Sequence, residues 1–396
     1  MKLPIYLDYA ATTPVDPAVA EAMSGCLTQE GNFANPASRS HRYGWQAEQA
    51  VENARRQVAD LIQADPRAIV WTSGATEANN LAIKGVAEAY CQAQGQDQDQ
   101  DQTSSHFVTS AIEHKAVLDC FEYLESLGHS VTYLKPNHLG EITPQQVAEA
   151  LTDNTVLVSL MLVNNELGVI NDVQAVGALC RQSNVLFHVD GAQAAGKVAI
   201  NVEAMNIDLL SLSAHKIYGP KGVGCLYVRR TPPLTIAAQI HGGGHERGMR
   251  SGTLATHQCV GMGAALALAE ERLESDRQHY RTLMSRLLAG MESLGGVLIN
   301  GNAGERVANI VNLAFEGVDG EQLLMVLKDI AVSSGSACTS ASIEPSYVLK
   351  AIGVEPELAH ASLRFSLGRS TCLDDIEQTI AIVSDGVGKL RSLNRK

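Results

Sequence analysis

Val185-Leu186-Phe187-His188-Val189-Asp190-Gly191-Ala192-Gln193 and Asp208-Leu209-Leu210-Ser211-Leu212-Ser213-Ala214-His215-Lys216 follow one plan. Each is a short apolar, strand-like run that gives way to polar residues. Asp190 closes the first and Lys216 follows the second. In an open α/β sheet both would reach the carboxyl edge, where such folds bind their ligands. A plain reading of the pair is a salt-bridged acid and a surface lysine at two strand ends. A chemical reading is a site for pyridoxal phosphate. That cofactor needs an amine to hold its aldehyde as a Schiff base, and a carboxylate to keep its ring nitrogen protonated so that the ring accepts electrons.

Outward from these runs, β-rich stretches alternate with apolar stripes of helical period, the pattern of a parallel sheet covered by helices. Strands are expected at 69–71, 107–109, 131–134, 156–163, 185–189, 209–213 and 223–228, which makes a sheet of seven. Ala47, Ala50, Val51, Ala54, Val58, Leu61 and Ile62 form one helical face. A long Ala/Leu/Glu/Arg-rich helix is expected from near Gly263. The rhythm then changes, with strands near 310–315 and 363–367 and helices near 320–330 and 374–390. The expected fold is α/β: a large domain with a mainly parallel seven-stranded sheet, residues 16–262, plus a smaller α+β C-terminal domain, residues 1–15 and 263–396. Gln94-Gly95-Gln96-Asp97-Gln98-Asp99-Gln100-Asp101-Gln102 is too polar to pack and reads as a solvated loop.

The chain has 396 residues, of which 45% are hydrophobic, enough for a sizeable core. A net charge of -13 argues against nucleic acid or an anionic membrane as the main partner, because both reward basic patches. There is no apolar signal core near Met1 and no apolar stretch of the ~20 residues a membrane span needs. A cytoplasmic location is expected. The eight cysteines are scattered without a C-x-x-C pair, so reduced thiols are the default.

The phosphate of such a cofactor needs a cradle. Thr72-Ser73-Gly74-Ala75-Thr76-Glu77-Ala78-Asn79-Asn80 offers a strand end, a glycine turn and a helix opening whose N–H groups, with the Thr76 hydroxyl, suit an anion. An ordinary N-cap has the same look. Ser213 and His215 would add donors. His241-Gly242-Gly243-Gly244-His245-Glu246-Arg247-Gly248-Met249-Arg250-Ser251-Gly252-Thr253 reads as an anion site or a loop crossing between subunits. His114 lies beyond a strand end, where it could stack on the cofactor and relay protons or simply be a polar surface residue. Asn165 and Gln193 could hydrogen-bond the ring hydroxyl, and Asn165 could equally be a turn residue. Arg364 could clamp a substrate carboxylate or form a surface ion pair.

Leu7-Asp8-Tyr9-Ala10-Ala11-Thr12-Thr13-Pro14, Asn35-Pro36-Ala37-Ser38, Gly74-Ala75-Thr76-Glu77, Val163-Asn164-Asn165-Glu166, His215-Lys216-Ile217-Tyr218-Gly219-Pro220-Lys221-Gly222, residues 242–253 and Ser333-Ser334-Gly335-Ser336-Ala337-Cys338-Thr339-Ser340 together resemble the NifS/IscS-type cysteine desulfurases, above all those of housekeeping iron–sulfur cluster assembly. The resemblance covers almost the whole chain. It implies a fold-type I pyridoxal phosphate enzyme of the class V aminotransferase group, working as a homodimer. In it Lys216 binds the cofactor aldehyde, Asp190 faces the pyridine nitrogen, His114 stacks on the ring, and Asn165 and Gln193 sit near the ring hydroxyl. Ala75, Thr76, Ser213 and His215 would hold the phosphate, with Thr253 reaching across from the partner subunit. Asn35 and Arg364 correspond to residues that hold the substrate carboxylate. Gly191, Ala192 and Ala214 are small departures beside the cofactor. The chain stops at Lys396 soon after its last helix, where those relatives continue into a tail that helps to dock the cluster scaffold.

Cys338 decides which reaction the resemblance implies. Its Gly/Ser-rich surroundings, residues 332–342, offer almost no large apolar side chain, so a segment free to move is expected. Free cysteines are usually buried packing residues, but here the resemblance makes Cys338 the nucleophile. The implied chemistry is removal of sulfur from L-cysteine. Lys216 takes the Cα proton, Cys338 attacks the substrate sulfur, and alanine leaves a persulfide on Cys338. No metal is expected in the pocket, with Cys338 open to acting as a cluster ligand during transfer. The persulfide would pass to an iron–sulfur scaffold protein or another acceptor, including those of tRNA thiolation. A selenocysteine lyase or another class V aminotransferase-like enzyme shares most of these features. A non-enzymatic sulfur-relay protein would not need Asp190, Lys216, His114 and Cys338 together.

Overall fold

The computed structural model describes residues 3–94, 104–334 and 345–394. The Gln/Asp-rich run, apart from Gln94, and Cys338 lie outside the described residues. The chain enters through Ile5–Tyr6 (β1) and then forms Pro17–Ser24 (α1) and Arg42–Leu61 (α2). Asp16 caps α1 by accepting from the Ala18 N–H at 3.0 Å. Pro17 sits in the first turn, where its missing N–H costs nothing. The predicted face of α2 is buried through Ala47, Val51, Ala54 and Val58.

Ile69–Thr72 (β2), His106–Ser110 (β3), Ser130–Leu134 (β4), Thr155–Met161 (β5), Leu186–Asp190 (β6), Leu209–Ser213 (β7) and Gly224–Val228 (β8) form one sheet. Its order is β2-β8-β7-β6-β5-β3-β4. All seven expected strands are present, with ends shifted by about two residues at most, the usual uncertainty of strand limits. Only β8 runs against its neighbours; the remaining pairs are parallel. Ala75–Ala93 (α3), Lys115–Ser126 (α4), Pro144–Ala150 (α5) and Val173–Gln182 (α6) connect the strands. Side chains alternate between two apolar layers. Trp71, Val108, Val158 and Leu210 join one, and Val70, Phe107, Leu157 and Leu209 join the other. Both faces are therefore covered, which is why these strands read as continuous apolar runs.

Thr256–Glu292 (α7) begins at Thr256 rather than near Gly263. Gly261 and Gly263 look like a helix boundary, yet they mark close packing inside the helix. A Cβ on Gly261 would lie 2.7 Å from Met23 Sδ, and one on Gly263 2.6 Å from the Ala54 backbone. The first half of α7 buries Cys259, Met262, Ala265 and Leu266 in the core of the large sheet. Its second half buries Tyr280, Leu283, Met284 and Leu287 in a separate cluster.

That second cluster covers a smaller antiparallel sheet. It comprises Val297–Asn300 (β9), Ile310–Phe315 (β10), Ser333–Ser334 (β12) and Ser362–Ser366 (β13), in the order β12-β13-β10-β9. Gly320–Val326 (α8), Tyr347–Ala351 (α9), Pro356–His360 (α10) and Leu373–Leu393 (α11) accompany it. The helix expected over 320–330 stops at Val326 because the chain turns so that Ile330–Ala331 (β11) can pair in parallel with β1. Among the described residues, no helix is long and apolar enough to cross a membrane.

Candidate active site

β2, β3, β5, β6 and β7 all run the same way, so their carboxyl ends meet at one edge of the sheet. A cavity of about 610 Å³ opens there. Its wall carries Gly74–Asn79 residues after β2, His114 after β3, Asn165 after β5, Asp190 and Gln193 from the end of β6, and Ser213, His215 and Lys216 from the end of β7. The smaller sheet contributes Ser333 and Arg364. Parallel strands thus bring together side chains that are scattered along the sequence.

Asp190 is buried at the tip of β6. One carboxylate oxygen accepts from Asn79 Nδ2 at 2.8 Å, and the other from the Ala192 N–H at 2.9 Å. Both oxygens of the carboxylate are thus held by donors of this chain. Asn79, fully buried on the first turns of α3, was not singled out in the sequence. Its place after the Gly74-Ala75-Thr76 turn is the one signal that points to it. Glu113, also unforeseen, is fully buried beside Asp190. Its Oε1 accepts from the Met161 N–H at 2.8 Å. Burial first, and then the Asp190 charge, raise its pKa well above the carboxylate range.

Lys216 donates to the carbonyls of Ala10 and Ala11 at 2.7 and 2.8 Å. The N-terminal segment is therefore one wall of the site. Thr13 holds it there, its N–H and hydroxyl both donating to the His215 carbonyl at 2.9 and 3.0 Å. Gln193 Nε2 donates to the same Ala10 carbonyl at 2.7 Å. His215 Nδ1 lies 3.1 Å from the Thr12 hydroxyl. Burial first, with the Lys216 and Lys221 charges, pulls the His215 pKa down to about 4, so the ring is neutral.

α3 opens at Gly74 with no side-chain cap. Its first N–H groups are left for an anion. The neighbouring strand comes close: a Cβ on Gly224 would lie 2.4 Å from the Leu212 carbonyl oxygen and 2.6 Å from Gly74 Cα. Glu77, in the first turn, is drawn aside by Arg250 at 2.8 Å and by the Ser73 N–H at 2.8 Å. Burial opposes its charge, but these bonds hold its pKa below the usual range. The glycine-rich run 241–253 lies against the start of this helix through Arg250. Its arginines are engaged within the chain, Arg250 on Glu77 and Arg247 on the Ile69 carbonyl at 2.7 Å. Glu246 pins the run down through a fork to Arg55 at 2.7 and 2.9 Å.

His114 caps α4, its Nδ1 accepting from the Ala116 N–H at 3.1 Å. An imidazole that accepts at Nδ1 carries its proton on Nε2. Burial, the main effect, lowers its pKa. His114 is therefore poised to donate through Nε2–H rather than to accept there. Asn165 is buried, and its Oδ1 has no partner among the described residues. Arg364 donates to the Asn165 carbonyl and to Asp8 Oδ1, both at 2.8 Å, while its Nε has no partner among them. Glu166, another residue that the sequence did not signal, accepts from Ser346 Oγ at 2.6 Å. Burial raises its pKa to about 7. Asn35 and Thr253 are exposed and do not line the cavity of their own chain. Asn35 closes a local turn by accepting from the Ala37 N–H at 2.9 Å.

The residues fit pyridoxal phosphate on the donor set alone. A held carboxylate, an amine and an uncapped helix start share one cavity, with the partnerless Asn165 Oδ1 beside them. The comparisons with known proteins agree. The aminotransferase class-V model matches residues 5–379. Cysteine desulfurase IscS of Tolumonas auensis is 58% identical over 394 residues, covering 100% of this chain and 95% of the relative. The protein of the same name from Azotobacter vinelandii has the same identity and coverage. Among solved structures, a NifS-like protein superposes with a TM-score of 0.88 at 32% identity, covering 98% of this chain and 100% of its own. SspA in complex with cysteine gives 0.80 at 38% identity, covering 92% and 98%. The chain belongs to the class-V aminotransferase family of pyridoxal phosphate enzymes and, within it, to the cysteine desulfurases.

Proposed function

We propose that this cavity removes sulfur from L-cysteine, giving L-alanine and a persulfide on Cys338. The observation that carries the reading is the held Asp190 facing the same cavity as Lys216. When bound, pyridoxal phosphate supplies an electron sink for the bonds at the substrate's α and β carbons. Asp190, held by Asn79 and the Ala192 N–H, is the counter-charge for the ring nitrogen. The start of α3 with Ser213 and His215 holds the phosphate. Lys216 anchors the cofactor and, once released, takes the Cα proton, with the Ala10 and Ala11 carbonyls as its resting partners. Arg364, fixed by Asp8 and Asn165, receives the substrate carboxylate, and no contact is assigned to Asn35, which does not line the cavity of its own chain.

In the net change, the substrate's carbon–sulfur bond breaks and a sulfur–sulfur bond forms to Cys338. The Cys338 sulfur is oxidised, the β carbon is reduced, and the thiol's proton is balanced by protonation of that carbon. His114, with Nδ1 occupied by the Ala116 N–H, donates toward the cavity. The thiol proton therefore leaves to a substrate group. A homodimer is part of the reading, since Thr253 is exposed on its own chain and free to face a partner's cavity. We also propose residues 16–262 and 1–15 with 263–396 as the two domains, supported by the two apolar clusters, with α7 carrying Ala265 and Leu266 of the second domain into the core of the first. The acceptor would be an iron–sulfur scaffold or a tRNA-thiolation protein, in the cytoplasm.

The visible spectrum of the purified protein tests the site. A cofactor band that Lys216→Ala abolishes is expected. A colourless wild-type protein after incubation with pyridoxal phosphate would overturn the reading.

A further inference from the structure

The Gln193 amide is held at both ends. Its Nε2 donates to the Ala10 carbonyl at 2.7 Å, and its Oε1 accepts from Lys197 Nζ at 2.6 Å. A carbonyl only accepts and a lysine amine here donates, so the two partners fix the sense of an amide whose ends look alike. The backbone makes this possible. Lys197 N–H donates to the Ala194 carbonyl, and those of Ala194 and Ala195 to the Gly191 carbonyl, a turn that brings residues 193 and 197 to one side. The Ala10 carbonyl is also a resting partner of Lys216, at 2.7 Å. A continuous chain of hydrogen bonds thus runs from Lys197 through Gln193 and Ala10 to Lys216.

Lys197 is partly buried as a residue, and its amine is enclosed by protein. Burial first, then the Lys216 and Arg364 charges, pulls its pKa down to about 7. Ammonium and amine can both donate to Oε1, so the bond survives either state. An enclosed lysine that donates to a neutral amide gains little stability from its charge. Its geometry serves Gln193 instead.

Resting on the proposed reading of the cavity, we propose that Lys197 is a positioning residue that locks the Gln193 amide with its N–H groups turned to the Ala10 carbonyl and the cavity. In that sense the amide would offer a donor to the ring hydroxyl of a bound cofactor, whose electron density sets the colour of the holoenzyme. With Lys197 gone, Oε1 loses its partner and the amide is held at one end only.

Lys197→Met keeps the apolar stem and removes the donor. In the holoenzyme it is expected to shift the cofactor's visible absorption maximum and to speed cofactor loss on dialysis by about tenfold, the scale of one hydrogen bond. In a Gln193→Ala background the same substitution should change neither quantity further, because the residue it acts through is absent. Lys197→Gln, a shorter neutral donor, should recover part of the wild-type band. If Lys197→Met does not fold, Lys197→Gln in the two backgrounds makes the same comparison. An unshifted maximum, or a shift that adds in full to that of Gln193→Ala, would overturn the proposal. A wild-type protein without a cofactor band would instead overturn the reading of the cavity.

Discussion

Glu166 accepts from Ser346, beside the Asn165 carbonyl that holds Arg364. Its pKa is raised to about 7 by burial, so the folded protein binds this proton more tightly than the unfolded chain does. As pH climbs from the ordinary glutamate value toward about 7, the unfolded chain ionises first and stability is lost across that window. The loss is on the order of 3 kcal/mol at most. Glu166→Gln should therefore match the wild-type melting temperature near pH ~5 and exceed it near pH ~8. Equal differences at both pH values would refute this. Asn79 acts on a single atom pair. Asn79→Ala leaves Asp190 one donor short and is expected to speed cofactor loss on dialysis by roughly tenfold to a hundredfold, the range of a bond to a charged group. Retention equal to wild type would show that Asp190 does not need it.

At the scale of elements, the run 241–253 shows what sequence can and cannot carry. Its glycines announce a tight loop, but nothing in the residue order announces that Glu246 will meet Arg55 of α2, far away in sequence. The pair is almost fully buried, and Glu246 also accepts from the Trp71 N–H at 2.8 Å. Removing Glu246 leaves the buried Arg55 with only the half-exposed Glu52 at 3.0 Å as a counter-charge, so Glu246→Ala should destabilise the protein by about 3 kcal/mol, whereas Arg55→Met with Glu246→Leu should cost much less. Chemical denaturation of the two variants checks this, and equal losses would refute it. The start of α7 was misread for a related reason. Gly261 and Gly263 signal a boundary locally, whereas their cause is the close approach of Met23 and Ala54. Six of the seven strands are legible because each is buried on both faces and so carries its signal within a few residues, and β4, half-buried at the sheet edge, is legible from its β-rich composition.

For the whole molecule, the parallel strands do the assembling. Asp190, Lys216, His114, Asn165 and Gln193 were legible as strand-end residues because every such end reaches one edge. Asn79, Glu113, Glu166 and Lys197 were not, since each matters through a contact made only on folding. Asn35 and Thr253 lie away from the cavity of their own chain, and in the proposed dimer Thr253 would belong to the other site. Size-exclusion chromatography with light scattering should therefore report a dimer. Thr253→Ala should weaken cofactor retention without changing that mass, and a monomer that holds its cofactor would contradict the account. The central claim is that sulfur leaves the substrate for Cys338. It is tested most directly by mass spectrometry of the Cys338 peptide after one addition of L-cysteine to holoenzyme without reductant. The account predicts one added sulfur atom on that peptide and an equal amount of alanine, both lost in Cys338→Ala. Alanine formed without sulfur on Cys338, or undiminished in Cys338→Ala, would contradict it.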